Sequence, residues 1–140
     1  MRPRAGITII DQLLAMALLS ILLTIALQGV GALRDRLAVQ AARRAVKDAV
    51  ALAREHAGAS GARSAVHFRS HDASVVVQAG NDSLFTLSLA HTFGVSLSAT
   101  RDSMAYLPSG LGFGAANMSI ALSRGARHDT VTISRLGRVR

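Results

Sequence analysis

The chain opens with a membrane-length apolar segment, "RAGITIIDQLLAMALLSILLTIAL" (residues 4–27), which contains one acid, Asp11, near its start. No charged residue occurs from Gln12 to Leu33. A helix of about 20 apolar residues crosses the hydrocarbon core of a bilayer, which is about 30 Å thick. The segment therefore predicts a transmembrane helix over residues 7–33. A cleaved secretory signal peptide is the alternative, and the length of the apolar run disfavours it.

Asp11 lies inside this apolar segment. A carboxylate at the centre of a membrane span costs roughly 2.5–3.5 kcal/mol on insertion scales, and less near the end of the span. One interpretation is an acid attracted to the positive end of the helix dipole. The other is a functional acid that meets a charged partner, because a buried charge is tolerated mainly when it is paired. The residue alone leaves both open.

The residues after the apolar segment keep a helical period. Apolar side chains recur at spacings of three and four and form one stripe, while most basic side chains lie off it. This pattern predicts that the helix continues over residues 34–56 as an amphipathic segment, and that the glycines of "HAGASG" (56–61) end it. The stripe consists of Val39, Ala42, Val46, Ala49 and Ala53.

Beyond Gly61 the apolar period changes to two, which is typical of strands separated by turns. Seven short segments fit: "SAVHFR", "SVVVQA", "LFTLSL", "GVSLSA", "MAYL", "MSIALS" and "TVTIS". One long helix followed by antiparallel strands predicts an α+β fold, in which a C-terminal β-sheet domain over residues 61–140 packs on the helix stripe.

The sequence contains no motif typical of a catalytic, metal or cofactor site. It has no cysteine, five histidines and no HExxH. "GLGFG" (110–114) lacks a following GK[ST] and is interpreted as a turn, and no serine stands in a GxSxG context. We therefore expect neither an enzyme nor a metal or cofactor site.

Positive charge is concentrated at the C-terminal end. The formal net charge is +8, and the last 17 residues contain Arg124, Arg127, Arg135, Arg138 and Arg140. In an extended "GRVR" (137–140), alternation places Arg138 and Arg140 on one side, and Gly137 is expected to let the chain bend away from the last strand. Guanidinium forks suit phosphate oxygens, which predicts DNA binding. A solvated basic tail, and contact with an acidic protein or lipid headgroups, are the alternatives.

The short basic leader and the residues after it, "G-I-T-I-I-D", resemble the processing site of type IV pilins and type II secretion pseudopilins. The resemblance implies that prepilin peptidase removes residues 1–6 by cutting between Gly6 and Ile7, and that the new N-terminus at Ile7 is methylated. Asp11 takes the place of the family's acid, usually Glu, which is thought to meet the N-terminal amine of a neighbouring subunit. Ile7 stands where Phe is usual.

The last 35 residues, "YLPSGLGFGAANMSIALSRGARHDTVTISRLGRVR" (106–140), are similar to the end of the GspH/FimT branch of that family. The resemblance implies a single-pass protein of the bacterial inner membrane that joins other pilins in a pilus or pseudopilus. It places the C-terminal domain outside the cytoplasm, although the Lys and Arg count around the span favours the opposite orientation. In FimT-like minor pilins of natural transformation, a GRxR tail is associated with DNA binding.

Two functions remain in view. The first is a minor pilin-like protein that binds DNA during uptake through Gly137, Arg138 and Arg140, with help from Arg124, Arg127 or Arg135. The second is a structural minor pseudopilin of a type II secretion system with no role in DNA binding. A single-span anchored protein that enters no filament is a third, weaker interpretation.

Overall fold

The computed structural model describes residues 8–114 and 117–140. The chain divides into two compact units, Met1–Arg34 and Asp35–Arg140, and the first helix, α1 (Ile9–Ser60), contributes to both.

In the first unit, α1 is long and apolar enough to cross a membrane. Its most apolar 18-residue window has a mean hydropathy of 2.3, and none of that window is buried. Two hydroxyl groups within the segment donate to carbonyls one turn earlier, Ser20 to Met16 at 2.8 Å and Thr24 to Ser20 at 2.9 Å. Such internal bonds satisfy polar groups that have no water to bond in a bilayer.

Within the residues that the structure describes, the second unit combines the rest of α1 with one short helix and eight strands. The short helix is α2 (Leu89–Phe93). The strands are β1 (Ser64–Arg69), β2 (Ser74–Ala79), β3 (Asp82–Ser88), β4 (Ser96–Ala99), β5 (Ser103–Tyr106), β6 (Gly112–Phe113), β7 (Met118–Arg124) and β8 (Arg127–Ile133).

The strands form two antiparallel sheets. The five-stranded sheet has the order β3-β2-β1-β5-β6, and the three-stranded sheet has the order β4-β7-β8. In the first, Ala65 of β1 pairs with Ala105 of β5, which pairs with Phe113 of β6. In the second, Ile120 of β7 pairs with Val131 of β8.

The predicted helix stripe is confirmed as part of the core. Its five members are each at most 3% exposed and belong to one cluster with inward-facing side chains of both sheets. The expected α+β architecture, a long N-terminal helix followed by antiparallel sheet, is also confirmed.

Several boundaries differ from the sequence predictions. The helix continues through Gly58 and ends at Ser60, where Gly61 takes a positive φ of 65°. The predicted strand "LFTLSL" was wrong at its last residue, since Leu89 begins α2. The Ser88 side chain caps that helix by accepting from the amide of His91.

Two further expectations on the strands were incomplete. The strands form two sheets rather than one, and β6 lies within a segment that we interpreted as a turn. A two-residue strand is too short to show a period of two, so the sequence contained no signal for it.

Candidate functional site

The first turn of α1 is capped by two residues that form hydrogen bonds with each other in both directions. The Asp11 carboxylate accepts from the amide of Thr8 at 3.0 Å and from its hydroxyl at 2.8 Å, while the Thr8 hydroxyl accepts from the amide of Asp11 at 3.3 Å. This is the geometry of a capping box, which satisfies backbone donors that the first turn leaves free. Gly6 and Ile7, the predicted cleavage and methylation positions, lie outside the described residues.

At the other end of the chain, the C-terminal residues form an ordered hairpin with β8. The amide of Arg140 donates to the carbonyl of Thr132 at 2.8 Å, and the amide of Ser134 donates to the carbonyl of Arg138 at 2.8 Å. An isolated antiparallel bridge joins Ile133 to Val139. Our expectation that Gly137 lets the chain bend away from the last strand was therefore wrong, because the turn at Gly137 folds the chain back along β8.

Gly137 allows this turn because it has no side chain. Its φ is +81°, and a Cβ added there would lie 2.5 Å from Cε1 of the fully buried Tyr106. The Tyr106 hydroxyl donates to the Gly137 carbonyl at 3.3 Å. Burial raises the pKa of Tyr106 to about 12, so the hydroxyl keeps its proton at neutral pH. The C-terminal segment 137–140, called the tail below, is thus fixed to the interior of the domain at Gly137.

The hairpin holds two tail arginines on the solvent side. Val139 packs against the core, whereas Arg138 and Arg140, on either side of it, are exposed. Alternating residues of a strand are about 7 Å apart, so the two guanidinium groups can reach separate phosphates. Thr132 and Arg140 pair through two backbone hydrogen bonds, from the amide of Thr132 at 3.2 Å and from the amide of Arg140 at 2.8 Å.

Arg135 and Arg127 are exposed but occupy different places. Arg135 lies in the turn of the hairpin, where its amide donates to the side chain of Asn117 at 2.9 Å. Arg127 begins β8, five residues before Thr132, which is roughly 17 Å along a strand. The structure therefore groups Arg135 with the two tail arginines and places Arg127 at the far end of β8.

The Arg124 guanidinium donates hydrogen bonds to other residues of the domain. Its Nε donates to the Asp35 carboxylate at 2.9 Å, and its Nη1 donates to the carbonyl of Phe93, which is the last residue of α2. The pair is about one-third exposed on both sides. The contact joins the β7–β8 hairpin to α1 and α2, which makes Arg124 a structural residue of this domain.

Replacing Arg124 with glutamine should lower the free energy of unfolding by about 1–2 kcal/mol, because a charged hydrogen-bond network at a half-buried site is lost. Arg127→Gln is the matched control, since it removes the same charge from an exposed position of the same hairpin and should change stability by less than about 0.5 kcal/mol. Denaturant titration of both variants measures the difference. Equal stabilities would contradict the structural role of Arg124.

Two of these features could not be found from the sequence. Tyr106 is 31 residues from Gly137, and Asp35 is 89 residues from Arg124, so no local pattern links either pair. Within residues 8–114 and 117–140, no group of three His, Cys, Asp or Glu side chains is placed to hold a metal ion.

The fold is similar to that of solved pilin-like proteins. The type IV minor pilin FimU of Pseudomonas aeruginosa is 12% identical, with a TM-score of 0.64 over 75% of this chain and 88% of FimU. The minor pseudopilin EpsH from the type 2 secretion system of Vibrio cholerae is 15% identical, with a TM-score of 0.57 over 73% of this chain and 94% of EpsH. The chain therefore has the pilin-like fold that the sequence resemblance implied.

Comparisons of the sequence itself add nothing further. No protein-family model matches the chain, and no curated protein matches it significantly.

Proposed function

We propose that this protein is a minor type IV pilin-like protein, FimT/GspH-like, that assembles with other pilins or pseudopilins into a pilus or pseudopilus. The likeness of its fold to FimU and EpsH supports this role, as does the exposed apolar part of α1. Residues 7–33 anchor the chain in the bacterial inner membrane, with the C-terminal domain on the periplasmic or extracellular side. Prepilin peptidase removes residues 1–6, and Ile7 is methylated.

Asp11 guides assembly by pairing with the Ile7 amine of a neighbouring subunit. The carboxylate lies in the first turn of α1, in the part of the helix whose large apolar side chains are exposed. In lipid, an ionised carboxylate is stabilised most by an opposite charge and by hydrogen bonds. Thr8 supplies hydrogen bonds from within the chain, and the amine of the next subunit supplies the charge.

The domain binds DNA through the arginine side chains of its tail. The observation that carries this proposal is the fixed hairpin, which presents Arg138 and Arg140 to solvent, with Arg135 in the adjacent turn. Because the hairpin is already ordered, binding need not order the tail, and that entropic cost is avoided. Phosphates are the same at every base pair, so such contacts are independent of DNA sequence.

The alternative is a structural minor pseudopilin, in which Arg138 and Arg140 contact neighbouring subunits. The likeness to EpsH, a pseudopilin of a secretion system, favours it. In both roles the protein supplies surface and assembly contacts rather than catalysis.

Binding of the full chain in detergent to duplex DNA at several salt concentrations separates the two roles. About three phosphate contacts predict a log–log salt slope near −2 to −3, at roughly 0.7–0.9 per phosphate. The double change Arg138→Gln, Arg140→Gln should weaken binding to all sequences alike and flatten the slope by about one to two units.

The matched control is the double change Arg36→Gln, Arg44→Gln, which removes the same charge from exposed positions of α1. It should leave the slope nearly unchanged. Equal weakening by both double variants would mean that net charge, and not the tail, governs binding. Absence of binding by the parent at low salt would favour the secretion pseudopilin.

A further inference from the structure

An aromatic side chain stands on the solvent face of the five-stranded sheet. Phe113 of β6 is 53% exposed. Across the sheet it pairs with Ala105, which pairs with Ala65, so Phe113 shares its face with two small side chains. The phenyl ring, about the size of a nucleobase, is thus half-exposed beside alanines, and the guanidinium of Arg63 lies over one of its faces.

Two arginines lie close to Phe113. The guanidinium carbon of Arg63 is 4.2 Å from the centroid of the Phe113 ring, a cation–π contact. An Nη of Arg101 comes within 3.6 Å of the position that a Cβ would occupy at Gly114, the residue after Phe113. The acid that follows Arg101, Asp102, lines a hollow with His67 and His71 at the opposite end of β1. The surroundings of the ring are therefore predominantly basic.

The strand of Phe113 lies next to the tail hairpin. The amide of Gly112, the residue before Phe113, donates to the carbonyl of Leu136 at 3.3 Å. Leu136 lies between Arg135 and Gly137, so the turn of the hairpin adjoins β6 directly. The turn that carries Arg135 therefore lies beside the strand that carries Phe113.

Resting on the proposed DNA-binding function, we propose that Phe113 is a stacking platform for an unpaired base, so that this surface binds single-stranded DNA. The base takes the place that the Arg63 guanidinium holds over the ring, and Arg63 moves to a flanking phosphate. Arg101 holds the phosphate that follows, and Arg135 and Arg138 hold the backbone beyond it. An exposed aromatic on a sheet between cationic side chains is how proteins bind single strands without sequence preference. A duplex hides the faces of its bases, so only its phosphates are available to the arginines.

The test uses the full chain in detergent with three oligonucleotides of equal length: a single strand, a duplex and an abasic single strand. Phe113→Ala should weaken binding of the ordinary single strand by roughly 5- to 150-fold, the range for one stacked base. It should change binding of the duplex and of the abasic strand by less than about twofold. Phe113→Trp should bind the single strand as tightly as the parent does. The sequence has no other tryptophan, so the fluorescence of this variant reports on position 113, and we expect only the ordinary single strand to quench it.

The outcomes separate this inference from the proposed function. If Arg138→Gln, Arg140→Gln weakens binding to all three oligonucleotides but Phe113→Ala weakens none, the tail binds DNA and the platform is overturned. Equal weakening of all three by Phe113→Ala also overturns it, because the effect then does not involve bases. If the parent binds none of the three, DNA binding as a whole fails, and the exposed ring then belongs to a contact with protein or lipid.

Discussion

Replacing Gly137 with alanine should lower the free energy of unfolding of the globular domain by about 2–4 kcal/mol. An alanine at φ of +81° is strained by about 1 kcal/mol or more, and its Cβ would lie 2.5 Å from the buried ring of Tyr106. Moving either the ring or the tail costs a further 1–3 kcal/mol, as overpacking of a core does. The tail should also shift, which should weaken the proposed DNA binding through Arg138 and Arg140.

Gly80→Ala is a matched control for this prediction. Gly80 also has a positive φ, of 61°, but no atom lies within 4 Å of the position that its Cβ would take. The Gly80→Ala variant should therefore lose only about 1 kcal/mol of unfolding free energy, which is the cost of the strained backbone conformation. Denaturant titration of the full-chain variants in detergent compares them. An equal loss for both glycines would contradict the fixed contact between the tail and Tyr106.

Replacing Asp11 with alanine should reduce incorporation into filaments at least tenfold, while insertion into the membrane is retained. A charge pair that is lost in lipid leaves the partner amine unpaired, which is costly when no water can solvate it. Asp11→Glu should be tolerated, since the charge is kept and the reach grows. Quantitative comparison of the protein in sheared filaments and in membranes measures the effect.

Thr8→Val separates this role from helix capping. The variant removes the hydroxyl that donates to Asp11 at 2.8 Å but keeps the carboxylate and its charge. We expect it to enter filaments nearly as the parent does. If Thr8→Val and Asp11→Ala lose incorporation equally, Asp11 acts only as the cap of α1, and the pairing with a neighbouring subunit is wrong.

The sequence predicted the features that depend on a local period. The stripe from Val39 to Ala53 follows the 3.6-residue repeat of a helix, and β1 and β2 follow the expected segments. The alternation of Arg138, Val139 and Arg140 was also readable, because outward and inward positions of a strand alternate wherever one face is buried.

Contacts between residues distant in sequence could not be predicted. The role of Arg124 depends on Asp35 and on the end of α2, and the sequence shows only a basic residue near the C-terminus. The turn at Gly137 depends on Tyr106 in another sheet. Glycine at that position was compatible with several paths of the chain, and only the packing around it selects the hairpin.

The same reason explains why Phe113 was overlooked. In the sequence it is one residue of a glycine-rich turn, "GLGFG". Its exposure and its contact with Arg63 arise only when β6 pairs with β5 at the edge of the sheet.

The central claim is that this chain is processed and built into a filament as a pilin-like subunit. The most direct test is the intact mass of the protein recovered separately from sheared filaments and from membranes of cells with active prepilin peptidase. The account predicts a chain that begins at Ile7, lacks residues 1–6 and contains one added methyl group. A chain that still begins at Met1, found in membranes and absent from filaments, would contradict it.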